Sequence, residues 1–328
     1  VSSGDPAAKR PEPLRVPCLQ NPKRHEVVAH LEGQRFVWMD YEDPSDEDIT
    51  ELAGLIKLHP LTVEDAHTFR QRPKIEEYDG YVFMVVFGVD VDTESGGQLL
   101  REVHIIISGD YVITIHRRPF APLADLIARY DEQTVRSEQF LVYMILDAIT
   151  STFVPVLSRT DDEIDELEQD VIDTADQGDL QRIFSLKRDL IAMRRVVTPM
   201  RDMFQRNAQR LAELPGLQTD DRLYFRDLYD GLIRVSDLVD SYRDLLSGAT
   251  DMYLSTVANR QGEINKQLTI IATIFLPLTF LTGFFGQNFS FLVTHVINGE
   301  WAFWVFGIGS LVASTVGFWI FFRRKRWL

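Results

Sequence analysis

Residues 268–286 read LTIIATIFLPLTFLTGFFG, 19 residues without one charged side chain. A second uncharged run, residues 301–322, reads WAFWVFGIGSLVASTVGFWIFF and has 22 residues. At about 1.5 Å of rise per residue the two are roughly 28 and 33 Å long as helices, which matches a hydrocarbon core of about 30 Å. The flanks give an orientation. Arg260 and Lys266 precede the first run, and Arg323, Arg324, Lys325 and Arg326 follow the second. The loop between them, residues 287–300, has no Lys or Arg. The positive-inside rule then predicts two spans in the cell's inner (cytoplasmic) membrane, with both termini cytoplasmic and only that loop outside. No signal peptide is expected, and the single cysteine, Cys18, fits a reducing cytosol.

Outside the two runs the chain is different. The 328 residues carry 34 Lys plus Arg and 49 Asp plus Glu, a formal charge of −15, with mean hydropathy close to zero. Residues 261–328 hold two acids and five bases, so the preceding 260 residues carry 47 acids and 29 bases, a net −18. This acidic balance excludes a nucleic-acid binder, which needs a basic face. One cysteine excludes a disulfide scaffold. There is no Gly-x-x-x-x-Gly-Lys-Ser/Thr loop, no recognisable Ser/His pairing and no Cys-x-x-Cys or His-x-x-x-His site, so an enzyme is not expected.

The fold class expected is an α+β cytoplasmic domain, then long helices, then the two C-terminal transmembrane helices. Residues 1–25 read as a flexible arm and 26–135 as the α/β domain. Its strands are expected at Phe36–Tyr41, Tyr81–Val91, Val103–Ser108 and Tyr111–His116. Helical sequence lies at Asp46–Lys57, with Ser45 as N-cap, and at Pro60–Thr68. Residues 136–213 read as an antiparallel hairpin. Its first helix, Ser137–Asp173, is acidic in its second half and its second, Leu180–Leu211, is basic, with the turn at Gln177-Gly178-Asp179. Residues 219–286 read as one stalk helix continuing into the first span, 287–300 as the outer loop, 301–322 as the second span and 323–328 as a basic tail. The stalk has a 3–4 apolar repeat at Leu228, Val235, Leu238, Tyr242, Leu245, Ala249 and Met252, with Gly231 in the missing position.

Two spans cannot enclose a pore, so conduction would require several subunits around an axis. The first span is the better pore wall, because it carries Thr269, Thr273, Thr279, Thr282 and Pro277. Its hydroxyls could equally bond back to their own helix. On the stalk, Asp230, Asp237, Asp244 and Asp251 recur every seven residues. Such a stripe is either a solvated polar face or a set of carboxylate rings gathering cations at a pore mouth, with Asp251 nearest the membrane.

The run Ile270–Phe280 followed by Gly286-Gln287-Asn288 resembles the CorA family of magnesium transporters, whose signature there is Gly-Met-Asn. His59-Pro60-Leu61, Glu64-Asp65, Gln71-Arg72-Pro73-Lys74, Asp161–Asp165, Tyr224–Asp227, Tyr253–Ser255 and Arg323–Leu328 extend the resemblance, in order, over nearly the whole chain. It implies a homopentameric funnel in the lipid bilayer that conducts divalent cations along its axis. Magnesium would come first, with cobalt or nickel as further permeants. It implies a filter at Gly286, Gln287 and Asn288, where amide oxygens contact the ion's water shell, which Mg2+ sheds reluctantly. The wall below would include Thr279, Leu276, Leu268 and Asn265, with Asp251 and Asp244 beneath and Arg323–Arg326 as a basic ring. Regulatory Mg2+ would sit between neighbouring subunits at Asp65 and Asp227, with Glu64 nearby. Gly286 is expected to turn the chain out of the helix with positive φ.

Gln287 stands where the family has Met, and the family's outer-loop Met-Pro-Glu-Leu is absent; the loop instead carries His295 and Glu300. These departures leave two rivals open. One is a zinc (Zn2+) transporter of the same superfamily, proton-coupled. The other is a membrane-anchored divalent-ion sensor that conducts nothing.

Overall fold

The computed structural model describes residues 16–33, 36–91, 97–130, 137–211, 222–287, 290, 294–295, 299–325 and 327. The elements are β1 (Cys18–Gln20), α1 (Arg24–Glu32), β2 (Val37–Glu42), α2 (Asp46–Ile56), α3 (Pro60–Thr68), β3 (Lys74–Tyr78), β4 (Tyr81–Val91), β5 (Gln98–Ile107), β6 (Tyr111–His116), α4 (Ala121–Tyr130), α5 (Glu138–Thr150), α6 (Phe153–Asp173), α7 (Gln177–Leu211), α8 (Arg222–Phe285) and α9 (Glu300–Arg324). The six strands make one sheet in the order β1-β2-β6-β5-β4-β3. β1, β2 and β6 are parallel; β3, β4 and β5 are antiparallel.

All six residues of β6 and the first five of β2 are buried, which is why both strands read as unbroken apolar runs rather than alternating ones. Polar groups inside this layer are paired. Trp38 Nε1 donates to Thr114 Oγ1 at 3.0 Å, and the Thr114 hydroxyl donates to Asp40. His116 Nε2 lies 3.4 Å from the Asp40 carboxylate, and its Nδ1 bonds the Arg118 carbonyl at 2.7 Å. Burial alone would pull the His116 pKa down, but the hydrogen bond and charge of Asp40 outweigh it and hold the imidazole above its ordinary value.

Local signals explain the element boundaries. Ser45 caps α2 reciprocally: its Oγ accepts from Asp48 N at 3.2 Å, and Asp48 Oδ2 accepts from Ser45 N at 2.9 Å. The expected helix Ser137–Asp173 is interrupted between α5 and α6. Thr152 Oγ1 accepts from Val89 N at 2.9 Å and donates to the Ile149 carbonyl at 2.6 Å, tying the break to β4. Gly88 permits that approach, since a Cβ there would lie 2.6 Å from Phe120 Cζ and 3.1 Å from Thr152 Oγ1.

Several expectations need correction. Part of the stretch read as an arm is folded: residues 18–20 pair with β2 as β1, and α1 starts at Arg24. Residues 1–15 lie outside the described residues. β3 and α4 were not expected. The α6–α7 turn falls earlier than Gln177-Gly178-Asp179, because Asp176 and Asp179 cap α7 reciprocally through bonds of 2.9 and 3.0 Å. The basic helix α7 also pairs less with α6 than its charge suggested. Among the described residues Arg182 reaches Asp170 at 2.6 Å, while Arg194 pairs with Asp240 of α8 at 2.7 Å and Lys187 with Thr250 at 3.0 Å.

The stalk repeat is half right. Leu228, Val235, Tyr242 and Ala249 are buried as expected, but their companions are Phe225, Leu232, Val239, Leu246 and Tyr253. Both registers satisfy a 3–4 repeat, because a heptad series can take its partner three or four residues on. Leu245 is 44% exposed and Leu246 is 0% exposed, so the same truncation has unequal cost. Leu246→Ala should destabilise by about 2–5 kcal/mol and Leu245→Ala by about 1 kcal/mol or less, read as unfolding midpoints.

The chain divides into two units, Val1–Asp170 with Asp176–Thr250, and Val171–Ala175 with Asp251–Leu328. Within the second, Arg260 donates to the Thr174 carbonyl at 3.0 Å. Among the described residues, three helical stretches have the length and hydropathy to cross a membrane. The apolar window of Glu138–Asp173 is 56% buried in the fold, whereas those of Leu223–Phe285 and Glu300–Arg324 are 0% and 6% buried. The last two contain residues 268–285 and 301–322 of the uncharged runs. Phe303–Gly309 of α9 is π-helical, which the sequence did not signal.

Candidate functional site

In the second unit one face of α8 carries Asp251, Ser255, Ala258, Gly262, Asn265, Leu268, Ala272, Leu276, Thr279 and Gly283, at steps of three or four, and Gly286 just beyond the helix end continues it; all are exposed. Leu276 and Leu268 are 71% and 59% exposed, far more than an apolar side chain in a finished core. A Cβ at Gly262 or Gly283 would meet nothing within 4 Å. The face holds no charge between Asp251 and the helix end. The Thr279 hydroxyl on this face donates to Phe275 O at 2.8 Å, and that of Thr269, next to Leu268, donates to Asn265 O at 2.8 Å. Such hydroxyls turn only lone pairs outward, an acceptor surface suited to the water shell of a cation.

The helix stops where the sequence places the filter. Gly286 N donates to Thr282 O at 2.9 Å and Gln287 N to Phe284 O at 3.3 Å, and Gln287 is exposed. Gly286 does not take the positive φ expected of it; among the described glycines only Gly80 and Gly299 do. What it offers is close approach, since a Cβ there would lie 3.0 Å from the Thr282 carbonyl oxygen. Asn288 lies outside the described residues.

The carboxylates expected to bind regulatory metal lie in the first unit. Asp65 on α3 is paired with Lys74 Nζ at 2.6 Å, and the same ammonium meets Glu76 at 2.9 Å. Burial would lower the Lys74 pKa, but the two carboxylates outweigh it and hold the ammonium above its ordinary value. Glu64 and Asp227 are exposed. No bond or ion pair joins Asp65 to Asp227 among the described residues. Asp227 instead acts electrostatically on Asp147 of α5. Burial first, and then the charge of Asp227, push the Asp147 carboxyl above its ordinary value. Asp147 escaped the sequence reading, although it is the one acid inside the apolar run FLVYMILDAIT; that isolation was the available signal. Carboxylates are hard oxygen donors of the kind Mg2+ takes, and of these Asp65 already has the Lys74 ammonium as its cation.

The remaining positions are simpler. Asp230, Asp237 and Asp244 are exposed on α8 in the first unit. Arg323, Arg324 and Lys325 are exposed at the end of α9, with the Arg323 guanidinium 5.1 Å from the Trp319 ring centre. Arg326 lies outside the described residues.

Comparison with known proteins meets this geometry. The family model described as CorA-like Mg2+ transporter protein matches residues 33–324. The chain belongs to the CorA family. The cobalt/magnesium transport protein CorA of Thermotoga maritima is 32% identical over 310 residues, covering 92% of this chain and 86% of that protein. A zinc transport protein, ZntB of Yersinia enterocolitica, is 24% identical, covering 92% of this chain and 90% of that protein. In structure, the CorA magnesium transporter of Methanocaldococcus jannaschii superposes with a TM-score of 0.78 at 26% identity, covering 90% of this chain and 92% of that chain. CorA proteins are channel-like membrane transporters of divalent cations, not enzymes.

Proposed function

We propose that this CorA-family chain is one subunit of a homopentamer that carries Mg2+ across the cytoplasmic membrane, with Co2+ and Ni2+ as further permeants. α8 and α9 span the bilayer with both chain ends inside. The observation that carries this reading is the exposed, charge-free face of α8 from Ser255 to Gly286, on a helix whose apolar window is unburied. Around an axis, five such faces would make a neutral wall. A hydrated Mg2+ would pass the Asn288 carboxamides, then Thr279, the apolar constrictions at Leu276 and Leu268, and Asn265. Neutral oxygens engage the ion's water without trapping it, and apolar rings can close by dewetting. Asp251 and Asp244 would hold cations near the inner mouth, and Arg323–Arg326 would set the topology. Expression in a bacterial host stripped of its own magnesium uptake should restore growth at low Mg2+; absence of rescue by correctly inserted protein would contradict the reading.

Intracellular Mg2+ is proposed to favour the closed state by bridging Asp65 and Glu64 of one subunit to Asp227 of the next, with Asp147 beside it. Metal and Lys74 compete for Asp65. Lys74→Gln should therefore lower the Mg2+ concentration that half-protects the protein from protease by roughly three- to tenfold, since a half-buried ion pair opposes binding by about 1 kcal/mol. Because burial and the charge of Asp227 hold the Asp147 carboxyl above its ordinary value, protection should also fade at a higher pH on acidification than isolated aspartates would allow.

A second reading, Zn2+ transport coupled to protons, is favoured by Gln287 at the filter and by the zinc-transporting relative.

A further inference from the structure

A cavity of about 950 Å³ opens at the carboxyl ends of β1 and β2, between α1 and α2, and none of the residues proposed above for pore or gate lines it. Parallel strands leave their crevice on this side. The rim is built in advance. Asn21 and Asp43 each turn the chain in the left-handed region, with φ of 45 and 48°. Asn21 N donates to Asp40 O at 2.7 Å, its Oδ1 accepts from Glu42 N at 2.8 Å, and Asp43 N donates to His116 O at 2.7 Å.

Tyr41 lines the cavity, and the residue is only 6% exposed. Its hydroxyl has no hydrogen-bond partner among the described residues. Burial, then the charges of Asp48, Glu51 and Glu26, push its pKa up, so it stays a neutral phenol in a negative field. Glu32, Glu42, Asp43, Asp48 and Glu51 line the space against Lys23 and Arg24. Arg24 is held by Glu51 at 3.4 Å.

These features select a ligand class. Two helices begin here, which by itself would suit an anion. Their first turns, however, already carry Glu26 and Asp46, Glu47 and Asp48; Glu26 accepts from Lys23 N at 2.8 Å, and Ser45 and Asp48 close a capping box at the start of α2. A bare metal ion is disfavoured as well, because no cluster of three His, Cys, Asp or Glu able to hold one occurs among the described residues. Val27, Leu52 and Leu55 supply apolar wall between the acids. A ligand that alternates methylenes with ammonium groups matches both surfaces.

We propose that this cavity binds a linear di- or polyamine, one ammonium bonding the Tyr41 hydroxyl and the others facing Glu42 and Asp43. The test is calorimetric titration of the full-length protein in detergent with spermidine, in excess Mg2+ to fill metal sites. Saturable binding of one spermidine per subunit is expected. Tyr41→Phe should weaken it about tenfold by removing one charge-assisted hydrogen bond. Asp43→Asn, in which Asn tolerates the left-handed backbone, should weaken it by a similar factor. Absence of saturable binding, equal affinity in both variants, or suppression of binding by inorganic phosphate at constant ionic strength would overturn the proposal.

Discussion

Asn288→Ala is expected to abolish cation uptake while subunits still assemble and insert. The carboxamide is small, neutral and placed by sequence directly after the helix end at Gly286 and Gln287. Each hydrogen bond to the ion's water shell is worth about 1 kcal/mol net. In a pentamer five are lost together, so a fall in uptake of at least about 100-fold is expected. Alanine removes no charge and no apolar side chain, so size-exclusion behaviour should be unchanged. A sensor that conducts nothing would show the opposite pattern, with every phenotype intact.

Asp40→Ala is expected to produce the largest loss of stability. Asp40 is buried in the centre of the sheet, where it accepts the Thr114 hydroxyl and faces His116. Removing it takes the acceptor from the buried Thr114 hydroxyl and the counter-charge from the buried imidazolium, at a cost of about 3–5 kcal/mol. The pH dependence has a definite sign. The folded pKa of His116 lies above its unfolded value, so the pair's stabilisation is full below that unfolded value and is lost as pH rises through the folded one. The midpoint gap between the wild type and Asp40→Ala in thermal unfolding should therefore be wide near about pH 6 and narrower near about pH 9. A gap independent of pH would mean that His116 carries no charge in the fold.

The two membrane runs, the strands β4 and β6 and the Ser45 cap were legible because each depends on local pattern: uncharged length, apolar runs and a hydroxyl three residues before an acid. The seam of α8 was not, because its apolar residues satisfy two registers and only packing chooses Leu246 over Leu245. β1 and β3 are short strands at the two edges of the sheet, with too few residues for a periodic signal. The break at Thr152 depends on a partner 63 residues away, Val89. In the candidate site the exposed face of α8 follows from three- and four-residue steps along one helix, whereas the Lys74–Asp65 pair and the influence of Asp227 on Asp147 arise only when separate elements fold together.

Conduction is the central claim, and uptake by proteoliposomes loaded with a fluorescent indicator tests it most directly. Mg2+ and Zn2+ are offered separately, each with and without an imposed proton gradient. The account predicts Mg2+ entry that needs no proton gradient. Zn2+ entry that requires one, with no Mg2+ flux, would contradict it.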